Sequence, residues 1–159
     1  MAPRDLLDMT GRVALVTGAG TGLGARFCMA LAEHGAAVVA VARRAEKVEG
    51  VADTIRKAGG KAIAVSGDVT DTASIKSAFD AAEKAFGTVD AVVANAGIAV
   101  PGRAAEISDD DWRKTMATNL DGVFFTAREA AQRLLKAGKH GSIVNIASIL
   151  GYGVGKGNA

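Results

Sequence analysis

A cluster of glycines lies between two apolar stretches near the start of the chain. An apolar run at residues 13–16 precedes it and helical spacing over residues 25–32 follows it. The glycines are Gly18, Gly20, Gly22 and Gly24. Because glycine has no Cβ, backbone N–H groups can closely approach a pyrophosphate, whose charge the N-terminus of a following helix also favours. The pattern predicts a phosphate site of the dinucleotide type; the alternative is a tight strand-to-helix turn that binds nothing.

A second group of residues bears on which dinucleotide would bind. Folds that bind NAD usually carry a carboxylate about 20 residues after the glycines, where it bonds the ribose 2′-OH. Residues 38–44 contain no acid; Ala42 occupies that position, and Arg43 and Arg44 follow it. A guanidinium pairs well with a phosphate, so the sequence favours NADP over NAD. Alternatively, both arginines are surface charges that open the next helix.

The elements that must position these residues alternate along the chain. Helical patterns are expected at residues 25–32, 47–58, 71–86, 109–117 and 119–136. Apolar runs that predict strands lie at residues 13–16, 36–42, 61–66, 89–94 and 142–147. This alternation predicts an α/β fold, a Rossmann-type doubly wound parallel sheet in one domain over residues 1–159.

Composition excludes several classes of protein. The 159 residues carry a formal charge of +2 with acids and bases interleaved, so we expect no nucleic-acid surface. No apolar run approaches the roughly 18 residues of a membrane span, and the N-terminus lacks the apolar stretch of a secretory signal. A cytoplasmic location is therefore expected, with no membrane partner and no metal site. Cys28 is the single cysteine and is expected to be a small buried residue rather than a reactive thiol.

Taken together, these motifs resemble the short-chain dehydrogenase/reductase family over essentially the whole chain. The match is carried by Thr17-Gly18-x-x-x-Gly22-x-Gly24, Asp68-Val69 and Asn95-Ala96-Gly97. The resemblance implies an NADP-binding or NAD-binding oxidoreductase that moves a hydride between nicotinamide and a ketone or secondary alcohol. The cofactor residues that it implies are Gly18, Gly20, Thr21, Gly22, Leu23, Gly24, Arg43, Arg44, Asp68, Val69, Asn95, Ala96 and Gly97. Asn95 is expected to tie neighbouring strands, and Asp68 has the alternative of merely capping a turn.

Two further residues match catalytic positions of that family. Asn119 is similar to the family's active-site asparagine, which helps to hold a proton-relay water; the alternative is an ordinary helix residue bonded to backbone. Ser148 follows the fifth predicted strand and is similar to the serine that bonds the substrate oxygen; the alternative is a solvated loop serine. The rival to an enzyme is a non-catalytic nucleotide-binding or regulatory protein of the same fold.

The family's acid/base pair, a tyrosine and a lysine four residues apart on a helix, is not expected within these residues. Tyr152 and Lys156 have that spacing, but Gly151, Gly153, Gly155 and Gly157 surround them. Each glycine costs a helix about 1 kcal/mol, and Tyr152 follows Ser148 too closely for the family pattern. The sheet also stops at five strands, so we expect the N-terminal part of a longer enzyme; the alternative is a five-strand domain completed by a partner. The resemblance further implies a homodimer or homotetramer that uses the helix at residues 119–136.

Overall fold

A computed structural model describes residues 6–151 and 153, and confirms the predicted α/β architecture. Five parallel strands form one sheet in the order β3-β2-β1-β4-β5. The strands are β1 (Val13–Thr17), β2 (Ala37–Ala42), β3 (Lys61–Ser66), β4 (Ala91–Ala94) and β5 (Ser142–Asn145). The α-helices are α1 (Gly22–Glu33), α2 (Ala45–Lys57), α3 (Thr72–Phe86), α4 (Asp109–Met116) and α5 (Gly122–Ala137). A π-helical turn, Ala117–Asp121, joins α4 to α5, and a 3₁₀ turn, Ile149–Gly151, follows β5.

The sheet order reverses between β1 and β4, which places a crevice at their carboxyl ends. The chain first adds β2 and β3 on one side of β1, then returns to add β4 and β5 on the other. Ala14 pairs with Val38 of β2 and with Ala91 of β4, and all five residues of β1 are buried. In open parallel sheets of this kind, ligands bind in the crevice at such a reversal.

Two apolar layers hold the sheet between its helices. Residues of α1 and α2 pack on one face, and residues of α3 and α5 pack on the other. Phe79 of α3 is fully buried in the second layer, and Cys28 of α1 is fully buried in the first. Burial raises the pKa of the Cys28 thiol to about 12, because the thiolate would lose its hydration. The expectation that Cys28 is a small buried residue is confirmed.

Several boundaries differ from the predicted ones. Helix α1 begins at Gly22 rather than at residue 25, and its first turn contains two glycines, of which Gly24 packs against the backbone of Gly18. The predicted helix at residues 119–136 is divided: Asn119 lies in the π-helical turn, where the Gly122 N–H donates to the Ala117 carbonyl five residues earlier. A 3.6-residue pattern does not show such an insertion, because the apolar spacing on both sides is preserved.

Within the described residues, no helix has both the length and the apolar character needed to cross a membrane.

Candidate functional site

A cleft of about 320 Å³ opens at the carboxyl ends of the strands, where the sheet order reverses. Nine residues that the sequence predicts for cofactor binding line it: Gly18, Gly20, Thr21, Arg43, Arg44, Asp68, Val69, Ala96 and Gly97. Ala42, Gly67, Ile98 and Thr118 complete its lining. The structure thus brings together segments from five separate parts of the sequence at one place.

The glycines of the first turn are required by close contacts. A Cβ on Gly18, where φ is +65°, would lie 2.8 Å from the Cα of Ala96. A Cβ on Gly24 would lie 2.3 Å from the Gly18 carbonyl oxygen, closer than any real contact. Gly22 has open space around it but a φ of +56°, which L side chains rarely adopt. The turn, the start of α1 and the loop after β4 therefore pack backbone against backbone.

The N-terminus of α1 has no side-chain cap of its own. Thr21 occupies the N-cap position without a side-chain hydrogen bond, and the first turn contains no acid. Helices α3 and α4 differ: Asp71 accepts a hydrogen bond from the Ala73 N–H at 2.9 Å, and Ser108 accepts one from the Asp111 N–H at 3.1 Å. The first N–H groups of a helix have no partner within the helix, so those of α1 are available to an anion.

Asn95 forms the expected tie between the two central strands. Its side-chain amide donates to the Thr17 carbonyl oxygen at 3.0 Å, and its backbone N–H donates to the Thr17 hydroxyl at 3.0 Å. The Ala96 N–H donates to the same hydroxyl at 3.1 Å. Thr17 is 3% exposed; it begins the sequence motif that contains the glycines, but only the fold shows that its hydroxyl accepts hydrogen bonds from both N–H groups.

The charges at the cleft are unbalanced. Neither Arg43 nor Arg44 forms an ion pair with any residue in the described part of the chain, and both are exposed. The arginines that do form ion pairs are Arg12, Arg26, Arg56, Arg103, Arg113 and Arg133. Another described arginine, Arg128, lies 5.2 Å from the ring centres of Phe124 and Phe125. Uncompensated cations at a cleft are suited to an anionic ligand.

The side of the cleft that carries these charges is formed by the ends of β2 and β3 and the turn after β3. The Ser66 hydroxyl donates to the Arg43 carbonyl oxygen at 3.2 Å and so joins the end of β3 to the end of β2. Asp68, the one acid among the described lining residues, accepts hydrogen bonds from the Thr70 N–H at 3.0 Å and the Thr70 hydroxyl at 2.9 Å. Asp68 therefore does cap a turn, in agreement with the alternative interpretation, while it also lines the cleft.

Val69 is held against the start of α5. A Cβ on Gly122 would lie 2.6 Å from Cγ2 of Val69, so this glycine lets the helix approach the cleft wall. The role of Gly122 could not be predicted from the sequence, because it depends on a contact between residues 53 positions apart.

The two candidate catalytic residues lie in different surroundings. The Asn119 side chain accepts a hydrogen bond from the Ile98 N–H at 2.9 Å and donates to the Ile98 carbonyl oxygen at 2.8 Å. It therefore pins the loop after β4, whose Gly97 and Ile98 line the cleft. The Ser148 hydroxyl accepts a hydrogen bond from the Leu150 N–H at 3.2 Å; Ser148 is exposed and is not among the lining residues. Tyr152 and Lys156 lie outside the described residues.

In the described ranges, no group of three or more His, Cys, Asp or Glu residues is arranged to hold a metal ion.

Comparison with known proteins identifies the class to which this fold and cleft belong. A model of the short chain dehydrogenase family matches residues 12–159. The chain is similar to 2,5-dichloro-2,5-cyclohexadiene-1,4-diol dehydrogenase of Sphingobium indicum, with 42% identity over 95% of this chain and 60% of that enzyme. It is also 40% identical to the NADP-dependent (R)-specific alcohol dehydrogenase of Lentilactobacillus kefiri, over 91% of this chain and 57% of that enzyme. The chain therefore belongs to the short-chain dehydrogenase family.

A solved structure has the same fold. A short-chain type dehydrogenase/reductase from Mycobacterium marinum superposes with a TM-score of 0.94 at 35% identity, covering 98% of this chain and 63% of that one. The predicted Rossmann-type sheet is thereby confirmed. The chain spans about 60% of the length of the curated relatives it matches.

Proposed function

We propose that the cleft binds NADP(H) and that the protein is an NADP-dependent oxidoreductase acting on a ketone or a secondary alcohol. The observation that carries this proposal is the pair of exposed arginines, Arg43 and Arg44, with no ion-pair partner among the described residues. They stand directly after Ala42, where a carboxylate would bond a free ribose 2′-OH. The cleft therefore offers positive charge at the place where NAD-binding folds offer negative charge.

The residues present fit a dinucleotide along the whole cleft. The turn carries no side chain at its four glycines, and the first N–H groups of α1 have no side-chain cap, so both would be available to a pyrophosphate. Asp68 and Val69 would lie beside the adenine, and Ala96 and Gly97 beside the nicotinamide ribose. Arg43 and Arg44 would pair with the 2′-phosphate.

The chemistry follows from what the cleft would hold. The nicotinamide supplies or accepts a hydride when it is bound. Ser148 would donate a hydrogen bond to the substrate oxygen and so stabilise the negative charge that develops there. Asn119 would keep the loop at Ile98 in place beside that position, because both polar atoms of its amide bond the loop backbone.

A titration of the protein with NADPH and NADH, followed by fluorescence, tests the cofactor proposal. We expect tighter binding of NADPH, and a loss of about 10- to 100-fold in NADPH affinity when Arg43 and Arg44 are both replaced by alanine, as for removed charge-assisted bonds. The affinity for NADH should change less than about twofold, because NADH has no 2′-phosphate. Equal affinities for the two cofactors in the unaltered protein would contradict the proposal.

Turnover is tested separately with the product of the complete gene and a panel of ketones and secondary alcohols. Ser148→Ala should reduce kcat by about 100-fold or more with NADPH affinity unchanged, as expected for a donor that acts on the transition state. A protein that binds NADPH but shows no turnover with any member of the panel would instead support the non-catalytic alternative.

We also propose self-association through the outer face of α5 and the turn before it. Leu120 and Phe124 are each 56% exposed and Leu135 is 81% exposed, which is unusual for large apolar side chains on one stretch of chain. A second copy of the chain would cover them. Light scattering should report a dimer or a tetramer, and Phe124→Glu should shift the protein to a smaller species.

A further inference from the structure

Lys47 lies against the glycine turn, although it was not singled out in the sequence. It is the third residue of α2, which begins directly after the arginine pair. A Cβ on Gly20 would lie 3.0 Å from Cβ of Lys47, 4.0 Å from its Cγ and 3.6 Å from Cβ of Ala42. The missing side chain of Gly20 therefore leaves the space that the Lys47 stem occupies, between the glycine turn and the end of β2.

The ammonium group of Lys47 forms no ion pair with any residue of the described ranges, and the residue is exposed. Two acids on the same helix, Glu49 and Asp53, are already paired with Arg56. Glu46 is the acid next to Lys47, and it is exposed to water, which weakens its attraction for a neighbouring cation.

We propose that Lys47 is a third cation for the 2′-phosphate of NADP(H), alongside Arg43 and Arg44. The proposal rests on the proposed function, since it assumes that NADP(H) occupies the cleft. The stem begins beside Gly20, and its four methylene groups let the ammonium reach the mouth of the cleft. Lys47 thus contributes to the preference for NADP(H) over NAD(H), although it is not among the residues that line the cleft.

The anchor position favours the 2′-phosphate over the pyrophosphate. Ala42 stands where a 2′-OH ligand would be in an NAD-binding fold, and an added Cβ on Gly20 would lie within 4 Å of the Cβ atoms of both Ala42 and Lys47. The pyrophosphate would lie at the N-terminus of α1, which begins two residues beyond Gly20. A cation at Lys47 should therefore act on NADPH and leave NADH nearly unaffected.

The test is a titration with NADPH, NADH and 2′-AMP of the unaltered protein and three variants. Lys47→Met keeps the apolar stem against Gly20 and removes the charge, while Lys47→Arg keeps the charge. Lys57→Met is the matched control, because Lys57 ends the same helix, is exposed and forms no ion pair within the described residues. Circular dichroism melts of all four proteins establish that each is folded.

We expect Lys47→Met to weaken NADPH and 2′-AMP by about fivefold, the upper range for an exposed pair of charges, with NADH changed by less than about twofold. Lys47→Arg and Lys57→Met should bind all three ligands as the unaltered protein does. Equal losses for NADPH and NADH would overturn the assignment to the 2′-phosphate, and so would a Lys47→Met variant that binds like Lys57→Met. If the unaltered protein itself shows no preference for NADPH, the proposed function fails first and this inference falls with it.

Discussion

The two ends of the sheet each carry a cavity, and the smaller one has the properties of a binding site. At the amino ends of the strands, a cavity of about 660 Å³ is bordered by the last turns of α1 and α2, with Thr10, Glu33, Ile55, Lys61 and Phe86 among its lining residues. At the carboxyl ends, the cleft measures about 320 Å³. If cavity volume alone were the criterion, the cavity at the amino ends would be chosen as the binding site.

The two ends differ in whether their arginine side chains form ion pairs. Near the amino ends, the Arg12 guanidinium lies 2.8 Å from a carboxylate oxygen of Asp90, whose other oxygen accepts a hydrogen bond from the Val13 N–H at 3.0 Å. The Asp90 carbonyl oxygen also accepts from the Ser142 N–H at 2.9 Å. Arg12 and Asp90 thereby hold β1, β4 and β5 together, whereas Arg43 and Arg44 form no ion pair with any residue that the structure describes. Lys61 of the amino-end cavity is also unpaired within those residues, so the proposed site rests on the arginine pair together with the adjacent glycine turn rather than on cavity volume.

The largest effect is expected from filling the space at Gly24. Gly24→Ala places a methyl group 2.3 Å from the Gly18 carbonyl oxygen, so the glycine turn and α1 must separate. The substitution should strain residues 18–24 by about 1–3 kcal/mol. Because these residues would bind the pyrophosphate, NADPH affinity should drop about 10- to 100-fold in the fluorescence titration. Gly50→Ala is the control, because Gly50 lies within α2 with no atom within 4 Å of an added Cβ. It should keep NADPH affinity and stabilise the fold by about 0.5–1 kcal/mol.

At the amino ends of the strands, we expect a substitution to lower the stability of the fold without changing the affinity for NADPH. Asp90→Ala removes the Arg12 ion pair and the acceptor of the Val13 N–H. The free energy of unfolding, measured with urea, should fall by about 1–3 kcal/mol, the cost of an unpaired partly buried group. NADPH affinity should stay within about twofold at temperatures where the variant is folded. A loss of NADPH affinity in the folded variant would show that the two ends are not independent.

A smaller loss of NADPH affinity is expected when the loop after β4, which borders the cleft, is no longer held in place. Asn119→Ala removes both hydrogen bonds to Ile98, each worth about 0.5–1.5 kcal/mol at most when solvent competes. NADPH affinity should weaken by about three- to tenfold, since binding must then order the loop. Asn119→Asp is the comparison variant, because a carboxylate still accepts a hydrogen bond from the Ile98 N–H but cannot donate one to the Ile98 carbonyl oxygen. Its loss of NADPH affinity should be smaller than that of Asn119→Ala.

The Cys28 thiol, in helix α1 between the two ends of the sheet, should not react in the folded protein. Cys28 is fully buried, and with a pKa of about 12 its thiol is protonated throughout the neutral range. Alkylation by iodoacetamide at pH 8 should therefore be undetectable in the native protein and should appear with unfolding, as followed by mass spectrometry. Rapid labelling of the folded protein would contradict the packing of α1 on the sheet.

The sequence could predict the layers but not the contacts that make the site. Apolar runs such as residues 13–16 and helical spacing such as that of residues 71–86 indicate elements by local chemistry, and those elements are present. The first turn of α1 could not be predicted, because glycine disfavours helices and only the contact between Gly24 and Gly18 explains its place there.

The same limit applies to the candidate site. Arg43 and Arg44 are predictable from their position after β2, but only the fold shows that neither has an ion-pair partner among the residues that the structure describes. The contacts of Lys47 with Gly20 and of Gly122 with Val69 join residues that are far apart in sequence. The π-helical turn at Asn119 leaves the helical spacing on either side intact, so no periodic pattern indicates it.

Hydrogen–deuterium exchange with and without NADPH tests most directly which end of the sheet is the binding site. The account predicts slower exchange on NADPH binding at residues 17–24, 42–47 and 95–98, which form or border the cleft. Residues 32–37 and 58–61, at the amino-end cavity, should exchange as before. Protection confined to those amino-end segments, or no protection at the glycine turn at saturating NADPH, would contradict the central claim.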